Sequence, residues 1–254
     1  MSVLDDLLAS LGADAPVHEV RTCVHWTAVV SRHCGLASTI HGEQHPHGHI
    51  AVRGVGSLHE RSALELAEYV KSERVLEASI GMAAINSLLD VDEERCVELN
   101  AADWLADKGR GKKVVIVGSF PFAPRLQGKV DKLWVLERHP AGVERRADEA
   151  SKIIPQADVV AITGTSLINR TFEDLLALCR SDSAIMVLGP TTPLSPVLFD
   201  YGVEVVSGTR VVDTELVLRL ISQGATFRQV KGPGVRLLTM VASNSATKGG
   251  VAGA

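Results

Sequence analysis

The polar residues with the clearest potential for chemistry follow a hydrophobic run in the second half of the chain. The run DVVAITG (158–164) passes into small and polar residues at Thr163, Gly164, Thr165, Ser166 and Asn169. Hydroxyls and backbone amides at the start of a helix can hold an anion or a carboxylate. The same residues could equally cap the helix and fill turns, and the sequence leaves both interpretations open.

A carboxylate, Glu137, closes a second run, LWVLE (133–137), and lies 19 residues after Gly118. Dinucleotide-binding folds often carry an acid at this distance, where it meets a ribose hydroxyl. The loop GSFPF (118–122), which includes Ser119, keeps only one glycine of the usual fingerprint, and its aromatic and proline residues would obstruct a pyrophosphate. Glu137 is therefore a candidate for contact with a ribose hydroxyl or a cation, and capping of a neighbour is the alternative.

The loop GPTTPLSP (189–196) is stiffened by three prolines. Its residues Gly189, Pro190 and Thr191 could form a preorganised wall of a pocket. The alternative is that the segment simply turns the chain.

A tract at residues 41–49, HGEQHPHGH, places potential metal ligands at every second position: His41, Glu43, His45, His47 and His49. Imidazole and carboxylate groups suit divalent transition metals such as zinc, nickel or copper. The glycines and the proline disfavour a regular strand, and the spacing matches no defined zinc site. The tract predicts either a metal site or a solvated loop that binds metal adventitiously.

Composition narrows the class of protein. A net charge of −4, 4% aromatic residues and the lack of a long basic run argue against nucleic acid as a partner. No apolar run is long enough to predict a membrane span, and the first residues lack the pattern of a signal peptide. Four widely spaced cysteines then indicate reduced thiols in the cytoplasm.

The elements that must position the candidate residues lie from residue 114 onward. Five short hydrophobic runs end at Gly118, Glu137, Gly164, Gly189 and Gly208, and helix-like stretches separate several of them. This β-α-β order predicts an α/β fold with a parallel sheet covered by helices on both faces. Because ligands of such sheets bind outside the carboxyl ends of the strands, the candidate loops should meet there.

The first hundred residues show a different pattern, that of an α+β unit. It predicts a helix at 2–11, one long strand at 18–30 with Val24 and Trp26 on its apolar face, strands at 34–40 and 49–56, and helices at 62–72 and 75–90. A segment rich in glycine and charge at 105–113 marks the join. The predicted domains are therefore 1–108 and 109–242, followed by a flexible tail at 243–254.

One helix of the first unit contains small residues that predict close packing. Gly81 and Ala83 in IGMAAIN imply that the helix lies against another backbone. Asn86, further along the helix, is a candidate for the cleft between the domains, and a core or capping asparagine is the alternative.

Five segments together resemble a known prokaryotic family: IGMAAINSLL, KVVIVGSFPF, LWVLERHP, ADVVAITGTSLINRTFEDLL and GPTTPLSPVLFDYGVEVVSGTRVVD. The family carries the label "putative heavy-metal chelation". The resemblance implies an enolase-N-terminal-like α+β domain followed by a Rossmann-like domain, with the site in the cleft between them. Carried over, that cleft would be lined by Asn86, Gly118 to Pro121, Glu137, Thr163 to Ser166, Asn169 and Gly189 to Thr192.

These observations favour a cytoplasmic binding protein for a small anionic molecule, a metal ion or a metal complex held in the interdomain cleft. A divalent transition metal is the predicted cofactor, and self-association into a homo-oligomer is left open. The alternative is an enzyme that uses a nucleotide or an S-adenosyl-type cofactor at the strand ends. A scaffold protein with a vestigial cleft is a third hypothesis.

Overall fold

A computed structural model describes residues 2–41, 52–97 and 99–243 of the chain. Within these ranges the chain forms a three-stranded sheet and an eight-stranded sheet. The histidine tract beyond His41 and the tail from residue 244 lie outside the described residues.

The larger sheet has the strand order β4-β11-β10-β9-β8-β5-β6-β7. Its strands are β4 (Cys96–Val97), β5 (Lys113–Val117), β6 (Lys132–Glu137), β7 (Arg145–Arg146), β8 (Val159–Thr163), β9 (Ala184–Leu188), β10 (Val205–Val211) and β11 (Val235–Val241). The six strands from β10 through β9, β8, β5 and β6 to β7 pair with one another in parallel. Strand β11 pairs antiparallel with β10 on one side and with β4 on the other. The chain runs outward from β5 to β7 and then returns to β8 on the other side, so a topological switch point lies between β5 and β8.

The five strands predicted from the hydrophobic runs are confirmed, as is the predicted Rossmann-like parallel sheet. Successive side chains of a strand point to opposite faces, and the central strands are buried on both. Val114 and Ile116 belong to the core on one face, together with Leu105, while Val115 belongs to the core on the other, together with Phe172. Burial on two faces explains why these strands read as continuous apolar runs.

The helices cover both faces of the sheet and connect its strands. They are α1 (Val3–Ala9), α2 (Ala63–Ala67), α3 (Val75–Leu88), α4 (Ala101–Lys108), α5 (Ala150–Ile153), α6 (Thr165–Ile168), α7 (Phe172–Ala177), α8 (Thr214–Ser222) and α9 (Phe227–Val230). Ser62 caps α2, which lies within the helix predicted at 62–72: its side chain accepts a hydrogen bond from the Glu65 amide. No helix in the described ranges is long and apolar enough to cross a membrane.

The smaller sheet corrects the prediction of one long strand at 18–30. Two strands, β1 (Glu19–Thr22) and β2 (Trp26–Val30), form an antiparallel hairpin, and β3 (Cys34–Ser38) follows. The chain turns between them, where the Cys23 amide donates to the Trp26 carbonyl at 2.8 Å. The turn leaves Val24 63% exposed, so Val24 does not share an apolar face with Trp26.

The sequence also predicted a strand of this sheet at 49–56. The three strands of the sheet are instead the two strands of the hairpin and β3. The described part of that segment, 52–56, contains turns. Thr27, which alternation places on the strand face opposite Trp26, is fully buried, and its hydroxyl lies 3.0 Å from that of Thr39. A satisfied threonine hydroxyl can occupy a core position that alternation alone would assign to solvent.

Direct hydrogen bonds join the two sheets and their helices. The Trp26 indole Nε1 donates to the Ala225 carbonyl at 2.9 Å, and the Tyr201 hydroxyl donates to Asp6 at 2.6 Å. One hydrophobic cluster also extends from Leu7 in α1 to Phe172 in α7. The two units therefore share a core, and the division at residues 108 and 109 stays a prediction.

Candidate functional site

A cleft of about 930 Å³ opens at the carboxyl ends of the parallel strands. Its lining spans the switch point, from Val117 at the end of β5 to Thr163 at the end of β8, and continues to β6 and β9. Of the first hundred residues, only Trp26, Ser38, Leu99 and Asn100 are in the described lining. The volume is that of a typical small-molecule site.

Most of the residues predicted for the site line this cleft. They are Gly118, Ser119, Glu137, Thr163, Thr165, Ser166, Asn169, Gly189, Pro190 and Thr191. Parallel pairing of β5, β6, β8 and β9 brings these four separate loops together. Asn86, Gly164 and Thr192, which were also predicted, do not belong to the lining.

The hydroxyls at the end of β8 bond mainly to one another and to the local backbone. Thr163 Oγ1 lies 3.0 Å from Thr165 Oγ1, and the Ser166 hydroxyl donates to the Thr163 carbonyl at 2.7 Å. Ser166 is almost fully buried, so its hydroxyl serves the turn, whereas Thr163 and Thr165 remain partly open to the cleft. The helix that follows, α6, has only four residues, and its dipole adds little.

Glu137 lies partly buried at the end of β6 and is held by two backbone amides. Its carboxylate accepts a hydrogen bond from the Ser119 amide at 2.9 Å and another from the Arg138 amide at 2.7 Å. The Ser119 hydroxyl donates to Glu144 at 2.7 Å. The pKa of Glu144 lies below its usual value because its carboxylate accepts hydrogen bonds from the Ala141 amide, which has the larger effect, and from the Ser119 hydroxyl. Each Glu137 oxygen keeps acceptor capacity for a ligand hydroxyl.

Gly164 lies behind the cleft wall, where two loops touch. A Cβ at this position would lie 2.5 Å from Thr192 Oγ1 and 2.6 Å from the Thr192 amide nitrogen. The glycine is therefore required for the close approach of the loops after β8 and β9. The Thr192 hydroxyl is buried and has no hydrogen-bond partner within the described residues.

Asn86 and Thr191 tie the first unit to the larger sheet. The Asn86 side-chain amide donates to the Leu36 carbonyl at 2.8 Å and to the Thr191 carbonyl at 3.2 Å. Thr191 Oγ1 accepts a hydrogen bond from the Ser38 amide at 2.9 Å. The role of Asn86 is thus to connect the units behind the cleft, and Thr191 has the same role in addition to its place in the lining.

Basic side chains around the cleft were missed by the sequence reasoning. They are Arg125, Arg138, Arg228 and Lys231, and Glu137 is the only acidic residue among the described lining. Arg125, Arg228 and Lys231 form no ion pair and no side-chain hydrogen bond with residues in the described ranges. The lining thus carries a net charge of +3 (four basic, one acidic) in a chain of net charge −4. No local sequence pattern reveals these basic residues, because they come from three separate segments that only the fold brings together.

The remainder of the lining is largely apolar and includes several aromatic rings. Phe120 and Phe122 lie on the β5 side with their ring centroids 5.4 Å apart. Trp26 and Phe227 lie on the other side with centroids 5.8 Å apart. An apolar interior with basic groups at its border suits an organic anion, because the body can be desolvated while the charge is paired.

The described residues do not fit a bare metal ion. No group of three or more histidine, cysteine, aspartate or glutamate side chains in the described ranges is placed to hold one, and the cleft lining has no histidine or cysteine. Burial raises the pKa of Cys34 to about 12 and that of Cys179 to about 11, which disfavours the thiolates that metals need. His41 is exposed, and its Nε2 lies 3.1 Å from the Val24 carbonyl.

The fold and the cleft together define a class: a two-part α/β protein with a ligand-type cleft at the carboxyl edge of a doubly wound sheet. The chain belongs to the family described as "putative heavy-metal chelation". One family model with this description, DUF364, matches residues 100–240, and a second, DUF4213, matches residues 4–89.

Two solved structures and one curated protein are similar to this chain. A DUF364-family protein of unknown function from Desulfitobacterium hafniense superposes with a TM-score of 0.80 at 26% identity, over 94% of this chain and 98% of that one. A protein of the same family from Pyrococcus horikoshii gives a TM-score of 0.78 at 19% identity with the same coverage, which shows the fold alone. An uncharacterized protein of Methanocaldococcus jannaschii, MJ0500, is 26% identical over 208 residues, or 78% of each chain.

Proposed function

We propose that the cleft binds a small organic anion with a flat apolar body, and that a metal enters it only as an anionic complex with such a ligand. The observation that carries this proposal is the lining itself, with four basic groups, one acid and several aromatic rings. A bare divalent cation would meet net positive charge there. A chelate that keeps negative charge would be attracted instead.

This proposal reconciles the cleft with the family's description. The description names metal chelation, whereas the described lining offers one carboxylate as a metal ligand. If the organic ligand supplies the coordinating atoms, the protein needs only to recognise the negative charge of the complex and a flat ring of the ligand. The proposal includes a cytoplasmic location, which the four free cysteines favour.

Calorimetric titration with pyridine-2,6-dicarboxylate tests the proposal, because this probe is flat, aromatic and doubly negative and chelates divalent metals. We expect the free dicarboxylate and its doubly negative zinc complex, which holds two dicarboxylates per ion, to bind in the cleft. In the double variant Arg228→Gln/Lys231→Gln, the affinity for both ligands should fall by about tenfold or more, equivalent to about 1.4 kcal/mol. Higher salt should weaken binding to the unmodified protein as well.

The matched control is Arg95→Gln/Lys129→Gln, which removes the same charge at exposed positions outside the lining. Its affinity should stay close to that of the unmodified protein. Equal losses in both double variants would mean that overall charge, and not this cleft, attracts the probe. Absence of binding by the dicarboxylate and its complex would contradict the proposal.

The histidine tract is a separate part of the proposal. His45 and His47 lie outside the described residues, and we propose that the tract collects divalent metal independently of the cleft. Zinc titration of His45→Ala/His47→Ala, followed by elemental analysis, should show a lower metal content than the unmodified protein. Unchanged stoichiometry would contradict metal binding by the tract.

A second candidate function rests on Glu137. It ends β6, the strand next to β5 at the switch point, which is where doubly wound folds place an acid on a ribose hydroxyl. We therefore keep an enzyme with a nucleotide or S-adenosyl-type cofactor as the alternative. Thermal-shift assays with adenosine and S-adenosylmethionine test it, and stabilisation lost in Glu137→Gln would support it.

A further inference from the structure

The ring of Phe120 occupies the centre of the strand-end region. A Cβ on Gly118, just after β5, would lie 3.2 Å from Phe120 Cε2 and 3.0 Å from Thr163 Cβ. A Cβ on Gly189, just after β9, would lie 3.8 Å from Phe120 Cε1. Because β8 lies between β5 and β9, the ring spans the end of β8 and covers the switch point.

The loop holds this ring in place by two local features. The Ala123 amide donates to the Phe120 carbonyl at 2.9 Å, which closes a turn with Pro121 at its second position. Phe122, the next residue of the turn, packs its ring against that of Phe120. The two rings are also joined to the core that includes Leu105 of α4.

The backbone around the ring offers few donors to a phosphate. The Ser119 amide is already bonded to Glu137, and the Gly164 amide to the Leu188 carbonyl. Pro121 and Pro190 have no amide hydrogen. A diphosphate at this place would therefore meet an aromatic ring and mostly occupied donors, where a dinucleotide fold has glycines and free amides.

We infer that Phe120 sets the specificity of the cleft: its ring fills the position of a phosphate and gives the ligand an aromatic surface instead. This inference rests on the proposed function and narrows its ligand class. The flat part of the ligand lies over Phe120, and its negative charge lies toward Arg125, Arg228 and Lys231. Nucleotides with a diphosphate are excluded, whereas a nucleoside without phosphate is not.

The test compares Phe120→Ala with the unmodified protein against three probes: ADP, adenosine and pyridine-2,6-dicarboxylate. We expect Phe120→Ala to bind ADP at least about tenfold more tightly and to lose about tenfold in dicarboxylate affinity. Adenosine affinity should change little, because the vacated space serves the phosphates. Phe199→Leu, a phenylalanine outside the cleft lining, is the matched control and should leave all three affinities nearly unchanged.

The ADP ratio decides this inference, and the dicarboxylate result decides the proposed function. A Phe120→Ala variant that binds ADP no better than the unmodified protein would overturn the inference, as would an unmodified protein that already binds ADP tightly. A gain for ADP without any dicarboxylate binding would keep the role of Phe120 and reject the organic-anion proposal. If Phe120→Ala does not fold, Phe120→Leu provides the same comparison with a smaller gain.

Discussion

Glu77, at the start of α3, is the only acidic side chain that is almost fully buried within the described residues. It accepts hydrogen bonds from the Ser72 hydroxyl at 2.6 Å and the Arg53 amide at 2.8 Å, and it pairs with the guanidinium groups of Arg53 and Arg74. Burial alone would raise its pKa, but these bonds and the Arg53 charge outweigh it, so the pKa lies below the usual value. The carboxylate thus fastens the chain at Arg53 to α3.

The variant Glu77→Gln should lower the free energy of unfolding at pH 7 by about 1–3 kcal/mol, because the buried donors lose a charged acceptor. Since the folded pKa of Glu77 is lowered, its stabilisation is present at neutral pH and is lost as the pH falls below about 4.5. Urea unfolding at pH 7 and pH 3.5 measures both effects. The difference in unfolding free energy between Glu77→Gln and the unmodified protein should shrink at the lower pH. The control Glu60→Gln, at an exposed position, should match the unmodified protein at both pH values.

The helix α3 is buried on nearly every side, which requires small residues where other segments cross it. A Cβ on Gly81 would lie 2.0 Å from the Val70 amide nitrogen, and one on Gly35 of β3 would lie 2.0 Å from the Ala83 carbonyl oxygen. The predicted close approach of this helix to another backbone is confirmed. Its apolar residues surround the axis, as expected of a central helix.

Replacement of Gly81 by alanine should therefore destabilise the fold by about 3 kcal/mol or more, because a backbone segment cannot move aside as a side chain can. Urea unfolding measures the loss. Gly12→Ala is the control, since a Cβ there meets nothing within 4 Å. Equal stability of the two variants would contradict the close backbone contact at Gly81.

Sequence patterns located the strands of the larger sheet because each is a short apolar run that ends in a turn residue. They did not locate the β1–β2 turn, since alternation continues through Cys23 and His25 without a glycine or proline. The candidate loops were predicted because the carboxyl ends of parallel strands meet at one edge. The basic residues were not, because Arg125 and Arg228 are 103 positions apart and no local pattern joins them.

At the scale of the whole molecule, the two units share a hydrophobic core and several hydrogen bonds. Trp26 of the small sheet bonds to Ala225, and α1 is held through Tyr201 and through Glu173, which accepts from the Val3 amide at 3.0 Å. Neither unit can separate without exposing apolar surface and breaking these bonds. The cleft is therefore part of one folded body.

We expect the two units to unfold together. A variant that keeps only Trp26 and one that keeps only Trp134 report on the small and the large sheet, respectively. In each variant, the fluorescence and circular-dichroism transitions in urea should coincide, as two-state unfolding requires. A fluorescence transition of the Trp26 variant that precedes its loss of secondary structure would show that the first unit melts separately.

The shared core also determines how fast a ligand arrives. Because the walls of the cleft belong to one body, the encounter does not wait for a closed form to open. The observed rate should then rise linearly with ligand concentration and show one phase in stopped-flow traces. Its slope should lie at or above about 10⁷ M⁻¹s⁻¹ at low salt and fall as added ions screen the basic border of the cleft.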